Sequence, residues 1–149
     1  MIREATASDV YAMMNMGEEF INQTQYRNVI SFNEESAFDL ALNMIQNPNA
    51  LLLVSERDEV DGMIGMMIYD HPLSGQKMSM EAFWWMRPEA RNGLAGVRLL
   101  RKAEEWVRSK GVKWMHMIAP DERVGKFYTR LGYEPVETHF YKNIEVADA

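Results

Sequence analysis

The chain has 149 residues, 47% hydrophobic and 26% charged, with a formal net charge of −6 and no cysteine. Its length fits one domain with a single core, and the absence of cysteine removes disulfides, thiolate nucleophiles and zinc–thiolate sites. The acidic balance speaks against a general nucleic-acid binder and leans toward a cationic or neutral acceptor.

No apolar run approaches the roughly 20 residues that span a bilayer, and Met1–Thr6 lacks the apolar middle of a signal peptide. The expectation is a cytoplasmic protein without a membrane partner. The 13 methionines are scattered over helical and strand positions, as adaptable core fillers would be. His71, His116 and His139 have no metal-ligand spacing, so no metal is expected. With no repeat, low-complexity tract or linker, residues 1–149 read as a single domain.

Ile2–Ala5 reads as a first strand, after which Thr6 or Ser8 offers an N-cap oxygen for a helix through Val10, Met13, Met14 and Gly17 toward Ile21. Thr24–Val29 reads as a loop. Ser31-Phe32-Asn33-Glu34 has capping-box spacing ahead of Phe38, Leu42 and Ile45 at helical intervals, and Asn47-Pro48-Asn49 stops that helix. The apolar runs Ala50–Ser55 and Val60–Tyr69 flank a polar turn as a hairpin, and Lys77–Met86 is a third long strand. An amphipathic helix with Val97, Leu99, Leu100, Ala103, Trp106 and Val107 on one face ends at Lys110-Gly111. Trp114–Ile118 then reads as a strand, Asp121–Leu131 as a helix stopped at Gly132, and Tyr133–Val136 and Thr138–Lys142 as two last strands. The fold class is α/β, with a mixed sheet carrying hairpins at the start and a crossover helix in the middle.

The strongest local signal runs from Met86 to Leu100, where a strand enters a glycine-containing loop that opens directly into a helix. Such a junction gathers unpaired backbone N–H groups at the positive end of a helix dipole, which favours a phosphate or pyrophosphate. Arg87, Arg91, Arg98, Arg101 and Lys102 surround it, with Glu89 the nearby acid before Glu104. A strand-to-helix turn using glycines for steric reasons is the plain alternative. The segment has neither the Gly-Lys-Ser/Thr ending of a P-loop nor a Gly-x-Gly-x-x-Gly dinucleotide fingerprint.

Pro88-Glu89-Ala90-Arg91, followed by Gly96 and Leu99-Leu100, resembles the acyl-CoA-binding motif of the GNAT N-acetyltransferase superfamily, whose core is Arg/Gln-x-x-Gly-x-Gly/Ala. Ile2–Thr6 with Asp9 resembles a common family opening, Glu105–Gly111 the helix after the motif, and Phe127–Tyr133 the late Tyr-x-x-x-Gly-Phe/Tyr signature. The resemblance thus covers nearly the whole chain. It implies a central, mostly antiparallel sheet of about seven strands flanked by about four helices. In one respect the chain departs from the pattern: Leu94 stands where the family's first glycine sits, and Gly93 lies one residue early. Either the loop shifts by one residue, with Gly93 and Ala95 serving, or the cofactor is held differently.

The resemblance implies an acetyl-CoA-dependent N-acetyltransferase, with acetyl-CoA as co-substrate and a small-molecule or protein amine as acceptor. The alternative is a catalytically inactive GNAT-fold module that binds CoA or a protein. In the family, the strands before and after the motif splay apart and the pantetheine arm inserts between them. Backbone groups of Trp85, Met86 and Arg87 would meet that arm, and Arg91, Asn92, Gly93, Leu94, Ala95 and Gly96 would cradle the pyrophosphate. Tyr128 matches the family's general acid. Glu81, a carboxylate in an apolar strand, is the candidate base, with His116 as its substitute. The first two helices, including Glu18, Glu19 and Tyr26, would shape the acceptor site. Strand alternation sends Trp84 and Trp85 to opposite faces. A homodimer is compatible with so small an enzyme.

Overall fold

A computed structural model describes residues 1–147, in two compact units, Met1–Ile118 and the segment from Ala119 onward. In the first, β1 (Ile2–Glu4) leads through a 3-10 turn into α1 (Val10–Gln23), then α2 (Glu34–Gln46), β2 (Ala50–Glu56), β3 (Val60–Asp70), β4 (Lys77–Met86), α3 (Ala95–Ser109) and β5 (Met115–His116). The second holds α4 (Glu122–Arg130). The strands form one sheet in the order β1-β2-β3-β4-β5, antiparallel throughout except for the parallel β4–β5 pair.

The mixed α/β architecture and four α-helices agree with the sequence reading, but the described residues form five strands, not about seven. Tyr133–Val136 and Thr138–Lys142 are not strands. Pro135 lacks the N–H a ladder needs, and Val136, Phe140 and Tyr141 are exposed, so no buried face selects a register there. The fifth strand is shorter than Trp114–Ile118, reduced to the two residues that pair with β4.

Burial follows the apolar runs. Val60–Met66 of β3 and Ala50–Ser55 of β2 are buried continuously, as central strands covered on both faces should be. Met13 and Met16 of α1, Met44 of α2 and Trp85 of β4 join one core cluster, while Gly96 of α3 faces the side chains of Met86 and Trp84. Trp84 and Trp85 therefore do face opposite ways, and α1 and α2 cover the face of the sheet opposite α3. Among the described residues no helix is long and apolar enough to cross a membrane.

Helix starts are set by side chains close in sequence. For α2 the cap is Asn33, whose Oδ1 accepts from Ser36 N at 2.8 Å, rather than Ser31. At the entry to α1 the cap is Thr6, one of the two residues expected: it is the N-cap of the 3-10 turn Ala7–Asp9 and forms a capping box with Asp9, whose Oδ2 accepts from Thr6 N at 2.8 Å. Arg3 holds the same carboxylate through two bonds of 2.8 and 2.9 Å and gives Nε to Glu56 Oε2 at 2.8 Å, so β1, β2 and the start of α1 meet at one guanidinium.

Two predictions follow from these contacts. The hydrogen bonds from Arg3, opposed by burial and helped by Thr6 N, hold the Asp9 carboxyl below its ordinary 3.8. A depressed pKa contributes stability that is present above the ordinary value and lost as pH falls through the folded one. Asp9→Asn should therefore lower the urea midpoint near neutral pH, and its gap from wild type should close in titrations carried below pH 3.8. Leu99, fully buried on α3, should cost about 2–5 kcal/mol when truncated to alanine, measured by urea unfolding.

Candidate active site

The ladder between β4 and β5 consists of Ser79 opposite Met115 and Met80 opposite His116. Ser79 anchors it twice on Trp114 O, through N and Oγ, both at 3.0 Å. Immediately beyond, β4 bulges: Met66 of β3 faces Glu81 and Gly65 faces Phe83, leaving Ala82 as the extra residue. A bulge bends its strand and re-aims the side chains beside it. Glu81, 7% exposed, stands at this point, and its Oε1 accepts from Ile118 N at 3.1 Å. A side chain thus spans from β4 to the segment after β5 where the backbone ladder has ended. His116 lies on β5 with Nδ1 3.5 Å from Tyr69 Oη.

Past the bulge, β4 remains paired to β3. Arg87 N donates to Asp61 O at 2.9 Å, and in an antiparallel ladder successive residues turn their polar groups to alternate sides. The backbone groups of Arg87 and Trp85 therefore face β3, while those of Met86 and Trp84 face the outer edge. Of the three residues expected to offer backbone to a pantetheine arm, Met86 is the one so oriented. Its carbonyl accepts from Arg91 Nε at 2.9 Å.

Arg87 leads into a short 3-10 turn, Pro88–Ala90, and Arg91–Leu94 connect this to α3. Leu94 is the N-cap residue of α3, with φ −95° and ψ 3° and 64% of its surface exposed. That backbone conformation is open to any residue, so the loop runs through position 94 without needing a glycine. Gly93 has a negative φ and open space around it. Gly96 packs against β4: a Cβ there would lie 3.4 Å from Met86 Cγ and 3.7 Å from Trp84 Cζ2, ordinary contact distances that leave room for a methyl group and for little more. The first helical bond of α3 is Arg98 N to Leu94 O at 2.9 Å, and Leu94 provides no side-chain cap. The N–H groups of Ala95, Gly96 and Val97 thus lack partners within the helix.

The basic cluster read from the sequence is largely balanced by acids. Arg101 pairs with Glu104 at 2.9 Å, Lys102 with Glu105 at 3.6 Å, and Arg87 lies between Glu19 and Glu59 at 3.5 and 3.6 Å. Arg98, exposed at the start of α3, has no acidic partner among the described residues. The Arg91 guanidinium lies over the Trp85 ring, 4.5 Å from its centroid.

The first unit therefore brings Glu81, Trp85, Met86, Arg87 and Arg91–Gly96 onto one strand, the loop that follows it and the first turn of α3. Tyr128 belongs to the second unit. There Asp121 Oδ1 caps α4 by accepting from Val124 N at 2.9 Å, and Tyr128 lies in the last turn, its ring 5.6 Å from that of Tyr133 and 6.3 Å from that of Phe127. The sequence reading missed the tie from Glu81 to Ile118 N and the link from Glu19 to Trp85. These join residues 37 and 66 positions apart, and no local pattern signals them.

Comparison with known proteins settles the family. The model of the GNAT acetyltransferase family matches residues 15–133. The chain belongs to the GNAT acetyltransferase family. The GNAT fold is shared with solved structures at low identity. A predicted acetyltransferase from Clostridium acetobutylicum, solved with acetyl-CoA, superposes with a TM-score of 0.81 at 10% identity, covering 97% of this chain and 96% of that one. An aminoglycoside 6'-N-acetyltransferase from Acinetobacter haemolyticus gives 0.74 at 16% identity, with 99% of each chain covered. A protein described as a transcriptional regulator, from Bacillus halodurans, gives 0.73 at 21% identity over 94% of this chain and 99% of that one. No curated protein matches the sequence.

The position of Glu81 in this GNAT chain generates a direct test. In Glu81→Ala the Ile118 amide loses its acceptor, and its hydrogen exchange, followed by NMR, should quicken roughly tenfold. Glu81→Gln keeps an acceptor oxygen and should leave the rate near that of wild type.

Proposed function

We propose that this GNAT acetyltransferase is a single domain over residues 1–149 that transfers the acetyl group of acetyl-CoA to a primary amine by direct attack on the thioester. The observation that carries this reading is the end of the β4–β5 ladder after Met80, on a strand that runs on into a helix whose first N–H groups have no partners within it. A strand-like amide arm fits against the outward backbone of Met86, and a pyrophosphate fits at the start of α3. The N–H groups of Ala95, Gly96 and Val97, with Arg98 beside them, match that anion, while Asn92, Gly93 and Leu94 line the approach.

When bound, acetyl-CoA supplies the activated acetyl group. Glu81, directly or through a water, takes the proton that an ammonium acceptor must lose before it can attack. As the carbon–sulfur bond breaks, the Tyr128 hydroxyl gives its proton to the departing thiolate. An N–H near Met86 polarises the carbonyl on which negative charge develops. A net charge of −6 favours a cationic acceptor, either a small amine or a protein amine.

The test is calorimetric titration of acetyl-CoA and CoA, with Gly96→Trp as control, followed by an amine screen. A tryptophan at 96 would collide with Met86 and Trp84 and should abolish binding. Gly96→Ala, whose Cβ meets Met86 at 3.4 Å, should keep most of it and shows that the site tolerates substitution short of a clash. Tyr128→Phe should bind acetyl-CoA normally but turn over about 10²-fold more slowly. Failure of the wild type to bind at millimolar acetyl-CoA would overturn the reading; binding without turnover of any amine would favour a CoA-binding module.

A further inference from the structure

Glu19 lies on α1, outside every segment that the cofactor reading uses, yet its carboxylate meets the end of β4 at two points. Oε2 accepts from the Trp85 indole Nε1 at 3.1 Å, and Oε1 lies 3.5 Å from Arg87 Nε. The Arg87 side chain is only 16% exposed and its Nε makes no hydrogen bond, so nearby carboxylates are what offset its charge. Glu59 supplies the other, 3.6 Å from the Arg87 guanidinium, but is itself mostly exposed. Phe20, the next residue on α1, packs edge-on against Trp85 with ring centroids 5.8 Å apart. The indole is thus held at its N–H by one α1 residue and at its ring by the next.

The same ring also carries the loop. A guanidinium has a fixed position when it has both a face to lie on and an acceptor that sets its rotation. For Arg91 the face is Trp85, 4.5 Å away, and the acceptor is Met86 O, 2.9 Å from Nε. We infer that Glu19 is a positioning residue for the loop Arg91–Leu94: by holding Trp85 and balancing Arg87 it fixes the ring on which Arg91 rests, and so sets the segment that enters α3. It touches no reacting atom. The contacts run from α1, which covers one face of the sheet, to a loop that leads to the helix on the other face. The consequence for CoA affinity rests on the function proposed above, whereas the mechanical link does not.

Two measurements test it on the full chain. Hydrogen exchange of the unliganded protein reports the link alone, through the Ala90, Arg91 and Arg98 amides, which donate to Arg87 O, Pro88 O and Leu94 O. Glu19→Ala should speed their exchange several-fold, by about 3–10-fold, and leave the β2 and β3 amides unchanged. Glu19→Gln, which retains an acceptor for the indole, should recover part of the protection, and Asn22→Ala on the exposed side of α1 should have no effect. Calorimetric CoA binding then closes a double-mutant cycle. Glu19→Ala should raise Kd by about 3–10-fold in the wild-type background and hardly at all in Arg91→Ala. Unchanged loop exchange, equal acceleration in β2 and β3, or equal loss of CoA affinity in both backgrounds would overturn the inference. If the wild type does not bind CoA, the cofactor reading fails while the exchange data still decide the link.

Discussion

A parallel ladder only two residues long, between β4 and β5, organises everything around the candidate site. Ser79 and Met80 pair with Met115 and His116, Ser79 gripping Trp114 O through both backbone and side chain. The extra residue Ala82 then bends β4, and the ladder is replaced by one side-chain bond, from Ile118 N to Glu81. Because β4 stays locked to β3 on its other side, its polar groups past the bulge cannot all turn inward. Those of Met86 and Trp84 are left on the outer edge. Of these, the Met86 carbonyl is taken up by Arg91 Nε, which ties the loop to the strand edge.

The loop after β4 is fixed by contacts of a different kind. Gly96 of α3 packs against Met86 and Trp84, and Arg91 ties the loop back to Met86 O and the Trp85 face. The cations around it do not form an undivided basic surface. Arg87, Arg101 and Lys102 each face carboxylates, which are screened surface pairs for the latter two. An anion at this place would therefore be recognised chiefly through oriented N–H groups, with Arg98 as the adjacent charge. On a protein with a net charge of −6 that is a local arrangement and not a long-range field.

Much of this was legible in the chain. The β2–β3 hairpin is bounded in the sequence to within a residue, because strands buried on both faces write themselves as continuous apolar runs between polar turns; Lys77–Met86, only partly buried, is bounded by the turn residues before it and by Arg87-Pro88 after it. The loop-to-helix junction was visible from its glycines and arginines. What misled the reading was alternation without a partner: Tyr133–Val136 and Thr138–Lys142 have strand-like composition, but Pro135 and the exposure of Val136, Phe140 and Tyr141 keep them out of a ladder. The cap of α2 lies two residues beyond the expected Ser31, at Asn33, since neighbouring Ser and Asn side chains can compete for one helix start.

The sequence by itself carried the motifs by which the chain resembles its family, the order of its elements from β1 to α4 and the position of the loop that opens α3, since each of these lies in local patterns and in residues only a few positions apart. Tertiary structure alone decided which backbone groups face outward, where β5 stops and how Glu19 reaches Trp85. Strand pairing fixes the first, the bulge at Ala82 accompanies the second, and the third depends on packing between residues 66 apart. Local patterns carry preferences for conformation; they do not carry the distance between segments that meet only when the core closes.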